Sequence, residues 1–307
     1  MKTLRYSLID VFTEKPFGGN QLAVFHGEEK LSSSTMQQIA RELNLSETVF
    51  VCPPENAKNH KCLRIFTPKV ELPLAGHPTI GAAFSLAEQG MIQTAEGTNE
   101  WILEEGFGDI PVTVHKHGGQ IVKVEMTQPL PEFRANYQKT GLVADLLSLT
   151  PKDLDVRYPF QTVSSGLPFL FIPVRSLNAI RNIQFRTDIW ERHFSRDPDT
   201  QHIFAFTTET EEKRSTVHSR MFAPAMGIAE DPATGAASGP LGAYLVEHGV
   251  IPQTTNGTYH IRNEQGFEIK RPSYIDVTIA KSGNRFSLVK IGGTSVTMGQ
   301  GEIYLAD

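Results

Sequence analysis

Apolar and polar positions alternate along most of the chain, breaking it into short strands and a few helices. Residues 4–12 (Leu4, Tyr6, Leu8, Val11, Phe12) and 21–26 read as strands joined by a turn on Pro16, Gly18, Gly19 and Asn20. Residues 32–45 carry helical spacing, with Met36, Ile39, Ala40 and Leu43 on one face and Ser34 as the expected cap. Strands follow at 49–52 and 63–66. The helix after Gly76 is apolar nearly all round, as a buried helix is. Strand-like runs lie near 100–105, 109–115 and 120–126, and the proline-containing stretch 128–131 reads as a crossover. Beyond it come strands near 160–174, irregular helices to about 195, and strands at 202–207 and 217–222. A small-residue helix over 235–248 and strands near 258–262, 275–280, 286–290 and 302–305 complete the pattern.

One segment of this pattern occurs twice. Arg64-Ile65-Phe66-Thr67-Pro68 leads to Gly76-His77-Pro78-Thr79-Ile80-Gly81-Ala82-Ala83 and an apolar run ending at Gly90. Arg220-Met221-Phe222-Ala223-Pro224 leads to Asp231-Pro232-Ala233-Thr234-Gly235-Ala236-Ala237 and a run ending at Gly249. Strand, loop, Gly/Pro turn, small-residue helix and glycine stop come in the same order, which implies two similar domains. With 307 residues, each has enough chain for its own core. The expected division is 1–128 and 129–307, with the last strand free to return to the first domain and an active site in the cleft between them. Short strands outnumber helices, so each domain is expected to be a curved, largely antiparallel sheet around one central helix, an α+β fold.

Composition narrows the function. A net charge of −5 gives no reason to expect nucleic acid or an anionic membrane as partner. No stretch approaches the ~18 apolar residues of a spanning helix. Cys52 and Cys62 are the only cysteines, which suits a reducing cytoplasm. No phosphate loop, complete dinucleotide fingerprint or metal-ligand spacing is present, so neither cofactor nor metal is expected.

The two Gly/Pro turns are the first candidate site. Each opens a helix whose unpaired N–H groups can hold an anion, and a pair of them suits a small carboxylate. Taken singly, each is an ordinary capped helix start; the duplication is what points to function. Differences between the copies locate the chemistry. Gly76-His77 stands where the second copy has Glu230-Asp231. Residues 46–51 align with 200–205, setting Gln201 opposite Glu47, so only the first copy has a carboxylate there. Burial at the head of a strand would raise the Glu47 pKa towards neutrality, as a reversible proton carrier needs. His77 is a candidate proton relay or a core histidine, and Asp231 a candidate catalytic acid or a helix cap.

These residues, with Gly19-Asn20-Gln21-Leu22-Ala23-Val24-Phe25, the 39–47 segment ending in Leu45-Ser46-Glu47, and Ser238-Gly239-Pro240-Leu241, resemble the phenazine-biosynthesis isomerase (PhzF-like) family over essentially the whole chain. The resemblance implies the diaminopimelate epimerase-like fold of two pseudo-symmetric halves, and a homodimer. It implies cofactor-independent isomerisation of trans-2,3-dihydro-3-hydroxyanthranilate or another small cyclic or unsaturated carboxylate. Glu47 would then be the general acid/base, with His77 and Asp231 orienting the substrate. Backbone N–H groups around Gly76, Gly235, Ala236 and Ala237 would hold its carboxylate. The amino-acid epimerases of the superfamily use a thiol in each half; Gly76 and Asp231 occupy those turns here, which argues against a thiol racemase. The phenazine enzyme carries a serine where this chain has Ala236, and that change bears on the substrate. An epimerase of an amino or hydroxy acid and a non-enzymatic binding protein stay open as alternatives.

Overall fold

The computed structural model describes residues 2–27 and 31–305. The chain divides into two compact units, Met1–Thr127 with Gly292–Asp307, and Gln128–Ile291. The first holds β1 (Lys2–Val11), β2 (Asn20–His26), α1 (Ser33–Leu43), β3 (Glu47–Cys52), β4 (Lys61–Phe66), β5 (Glu71–Leu72), α2 (His77–Glu88), β6 (Gly97–Glu105), β7 (Gly108–His117) and β8 (Gln120–Thr127). The second holds β9 (Glu132–Tyr137), α3 (Thr140–Leu147), β10 (Phe160–Ser164), β11 (Pro168–Pro173), α4 (Leu177–Arg181), α5 (Thr187–His193), β12 (Ile203–Thr207), β13 (Val217–Ala223), β14 (Ile228–Asp231), α6 (Gly235–Glu247), β15 (Thr258–Gln265), β16 (Ser273–Ser282) and all but the last two residues of β17 (Arg285–Gly293). The last strand, β18 (Ser295–Leu305), pairs antiparallel with β1 from Lys2↔Leu305 to Val11↔Ser295.

Strand pairing repeats step for step. In the first unit the order β18–β1–β2–β3–β4–β6–β7 runs antiparallel, antiparallel, parallel, antiparallel, parallel, antiparallel. In the second, β9–β10–β11–β12–β13–β15–β16 gives the same series. Side chains repeat with it. Arg64 grips Glu71 through two 2.7 Å bonds and lies 5.3 Å from the Phe66 ring centroid; Arg220 grips Glu230 at 2.8 and 2.7 Å and lies 5.2 Å from that of Phe222.

Each sheet wraps one buried helix. In the first unit α2 packs against β1, β2, β3, β7, β8 and β18, and every residue from His77 to Ala87 is buried. Such close approach needs small residues: a Cβ at Gly81 would sit 2.6 Å from side-chain carbons of both Leu22 and Val11. In the second unit α6 packs against β10, β11, β15 and β16. Both helices stop on a left-handed glycine, Gly90 (φ 65°) and Gly249 (φ 61°), and the following amide reaches back to Leu86 or Leu245 at 2.9 Å. α1 covers the other face of the first sheet, burying Met36, Ile39 and Ala40 on Phe25, Phe50 and Phe66. Each unit is the mostly antiparallel α+β architecture that the pattern predicts.

Several local expectations need correction. Ser32, not Ser34, caps α1, accepting the Thr35 N–H at 3.1 Å from extended backbone. Pro78 lies in the first turn of its helix, but Pro232 does not; α6 begins three residues later, at Gly235. Residues 128–131 lead straight into β9, whose largely exposed side chains conceal an edge strand, and the short helix α3 follows.

Candidate active site

The site in the first unit is built at one end of the sheet. Asp10, buried near the end of β1, accepts the Phe17 N–H at 2.8 Å and closes the loop before β2. Gly19 (φ 64°) completes it, since a Cβ there would sit 2.3 Å from the Val11 carbonyl oxygen. The loop delivers Asn20 as the first residue of β2. Glu47 is the first residue of β3, paired beside Leu22, and His77 is the first residue of α2.

These three side chains meet. His77 Nε2 lies 3.2 Å from Glu47 Oε2, and Asn20 Nδ2 lies 3.2 Å from His77 Nδ1. Glu47 is 7% and His77 3% exposed. An amide nitrogen can only donate, so Asn20 fixes Nδ1 as an acceptor and puts the ring proton on Nε2, facing the carboxylate. Burial pushes His77 down to about 3, so the ring is neutral through the physiological range. It stands as a neutral imidazole 3.2 Å from the Glu47 carboxylate, a contact that lacks hydrogen-bond geometry. Replacing Asn20 by Leu frees the ring to place its proton on Nδ1 and turn a lone pair towards Glu47. The loss is about 1.5–3 kcal/mol, roughly 10- to 100-fold in kcat, with the ring nitrogens in 15N NMR reporting the tautomer. Unchanged kcat and tautomer would refute this role.

The helix termini are less uniform than the sequence suggests. No side chain caps α2 or α6, so the Gly76 turn and the Gly235–Ala236 segment present backbone N–H groups. The Ala237 N–H donates to the Thr234 carbonyl at 3.2 Å. In the second unit Asp231, 4% exposed, accepts the Thr234 hydroxyl at 2.6 Å, and its carbonyl accepts Gln265 Nε2 at 2.7 Å. Ser238 is buried, donating to the Thr234 carbonyl at 2.9 Å and accepting Asn263 Nδ2 at 3.2 Å. Its hydroxyl is committed to the core and does not stand in for the one absent at Ala236.

Three residues escaped the sequence reading. Asn20 was visible only as a turn residue. His202 is the register counterpart of Glu47: Thr48 pairs with Phe66 and Ile203 with Phe222, so the repeat aligns Glu47 with His202 rather than Gln201. Glu105, buried at the end of β6, had a signal in Glu104-Glu105-Gly106-Phe107 recurring as Glu264-Gln265-Gly266-Phe267. A cavity of about 500 Å³ lies elsewhere, along Arg5, His26, Met36 and Glu302, and none of the site residues lines it.

A buried carboxylate beside a neutral imidazole, in one of two repeated halves, equips an enzyme to move protons on a small molecule. The chain belongs to the phenazine biosynthesis-like protein family, whose profile matches residues 9–301. It is 34% identical, over 98% of its length and 99% of the relative, to trans-2,3-dihydro-3-hydroxyanthranilate isomerase of Pseudomonas aeruginosa. A phenazine biosynthesis protein of the PhzF family from Bacillus anthracis superposes with a TM-score of 0.89 at 27% identity, over 99% of this chain and 100% of that one. A hydroxyproline epimerase from Agrobacterium vitis shares the fold, with a TM-score of 0.65 at 13% identity over 99% and 91% of the two chains. The chain is an isomerase of that family, with a small-molecule substrate. Among the described residues no helix is long and apolar enough to cross a membrane.

Proposed function

We propose that this isomerase moves a proton between two carbons of a small cyclic or unsaturated carboxylate resembling trans-2,3-dihydro-3-hydroxyanthranilate, with Glu47 as the general acid/base. The observation that supports this most is the buried Glu47–His77 pair at 3.2 Å. The Glu47 carboxylate takes a proton from the carbon bearing the hydroxyl, and the electron pair of that C–H bond shifts into the conjugated system. Protonated Glu47 then delivers the proton to a second carbon on the same face. The enol so formed relaxes to the ketone, and the enzyme returns to its starting state. His77 Nε2–H stabilises the carboxylate before and after transfer without itself changing protonation. Asp231 is assigned to the substrate's polar groups, and the uncapped turns at Gly76 and Gly235–Ala236 to its carboxylate. Ala236 removes a hydroxyl from that set, which favours a substrate lacking one polar contact.

The test is turnover of trans-2,3-dihydro-3-hydroxyanthranilate in deuterated water, followed by NMR. Deuterium entering a ring carbon together with ketone formation is the expected result. A folded enzyme showing no exchange with this compound or related unsaturated carboxylates would overturn the proposal. Inversion at a stereocentre would favour an epimerase instead, and His202, the buried and neutral counterpart of Glu47, would be its second base. The resemblance also supports a cytosolic homodimer, which sedimentation and localisation measurements would check.

A further inference from the structure

Glu105 ends β6 directly behind the turn that carries Gly76 and His77. Its Oε1 lies 2.5 Å from the Thr79 hydroxyl, and its Oε2 accepts the Ala75 N–H at 3.4 Å. The same Thr79 hydroxyl lies 2.6 Å from the Ala75 carbonyl, the back-bond a helical threonine commonly makes. A hydroxyl has one proton, and two contacts this short each require one. The carbonyl can supply none. Thr79 therefore donates to Ala75, and the second proton belongs to Glu105, which donates to Thr79.

The second unit supports this count. Strand register aligns Glu104 with Glu264, through Cys62↔Glu104 and His218↔Glu264, so Glu105 corresponds to Gln265. The Glu104 carboxylate accepts the Glu55 and Asn56 amides at 2.6 and 2.8 Å, as Glu264 accepts those of Glu211 and Glu212 at 2.5 and 3.1 Å. Gln265 Nε2 donates to Thr234 Oγ1 at 2.9 Å, and Gln265 Oε1 accepts the Thr234 N–H at 3.1 Å. Each unit thus pins its turn with one donor to a threonine hydroxyl and one acceptor for a backbone amide. Glutamine supplies both permanently. A glutamate supplies both only as the neutral acid.

Resting on the general acid/base reading of Glu47, we propose that Glu105 is a positioning residue that works as a protonated carboxylic acid, holding the 75–79 turn so that His77 stays aimed at Glu47. Ionisation removes the proton from the 2.5 Å contact and sets a carboxylate against a hydroxyl already committed to Ala75. Burial is the main influence, pushing Glu105 up to about 8 and favouring the neutral acid. The ionisable groups on neighbouring elements are His77 on α2, Glu104 and Asp109 on β6 and β7, and Glu47 and Cys62 on β3 and β4. None contributes to the shift; Glu104 and Asp109 both accept from Asn59, and His77 is neutral.

The experiment compares wild type, Glu105→Gln and Glu105→Ala. Infrared difference spectra between wild type and Glu105→Gln, taken on free enzyme, should show a protonated carboxyl stretch at neutral pH that converts to carboxylate bands as pH rises through about 8. Glu105→Gln should keep kcat within about twofold and lose the wild type's alkaline decline. Glu105→Ala should lower kcat about 100-fold with little change in KM. The same variant should shift the His77 ring resonances that Glu105→Gln leaves in place. An ionised Glu105 at neutral pH, or a Glu105→Gln variant as impaired as Glu105→Ala, would overturn the proposal. The infrared and His77 readouts need no substrate, so they decide it even if the proposed isomerisation fails.

Discussion

Glu47→Gln is expected to lower kcat by about 10²–10⁴-fold, the range a positioned general acid/base contributes, while the protein stays folded and binds ligand. Glutamine keeps the shape of the side chain and leaves an oxygen for the His77 Nε2–H, so the 3.2 Å contact can survive. What it cannot do is accept a proton from carbon and return it. Both halves of the reaction use that one capacity, so solvent deuterium exchange and product formation should fall together. Retention of either within tenfold of wild type would move the proton carrier elsewhere, with His202 the first residue to examine.

The largest expected effect on stability lies away from that chemistry. His218, fully buried on β13, holds Glu264 through Nδ1 and Glu268 through Nε2, each at 2.9 Å. Burial alone would push the imidazole down, but the two carboxylates outweigh it and hold it up at about 9. At neutral pH it is an imidazolium between one buried and one half-buried carboxylate. His218→Leu removes the cation and leaves both carboxylates in place, a change that costs about 3–5 kcal/mol when one partner of a buried ion pair is lost. In thermal unfolding that corresponds to a fall of roughly 5–8 °C for a chain this size. The pH dependence has a definite sign. A folded-state pKa raised from 6.5 to about 9 contributes stability in full below 6.5, which is lost as pH rises through 9. The wild type should therefore weaken across that window, and His218→Leu should lack that part of the slope. Equal stability of variant and wild type at neutral pH would contradict the assignment of charge.

Much of the fold was legible because the repeat speaks in residues whose roles are local. Gly90 and Gly249 stop helices by adopting positive φ, and Arg64 and Arg220 mark equivalent strands whose glutamate partners follow at matching places. The β9 edge strand was hidden because edge pairing asks little of side chains, and its residues alternate poorly. In the site, Glu47 and His77 were found from the asymmetry between copies. Asn20 and Glu105 were not, because their roles exist only once β2 and β6 are laid beside the α2 turn. The misplacement of His202 by one residue has the same origin: strand register is set by partners, and a sequence shows only one strand at a time.

The pairing of β1 with β18 has a consequence for how the chain is made. The second unit is one uninterrupted stretch, Gln128–Ile291, whereas the sheet of the first is closed by residues from opposite ends of the described chain. On the ribosome the second unit can complete its hydrogen bonding while the outer edge of β1 still waits for its partner. Contacts so distant in sequence form slowly, because the intervening chain must be ordered first. An unpaired strand edge invites association with other chains. For this protein the first unit is thus the one whose sheet closes last, and the completed second unit shortens the span of loose chain that has to be brought together.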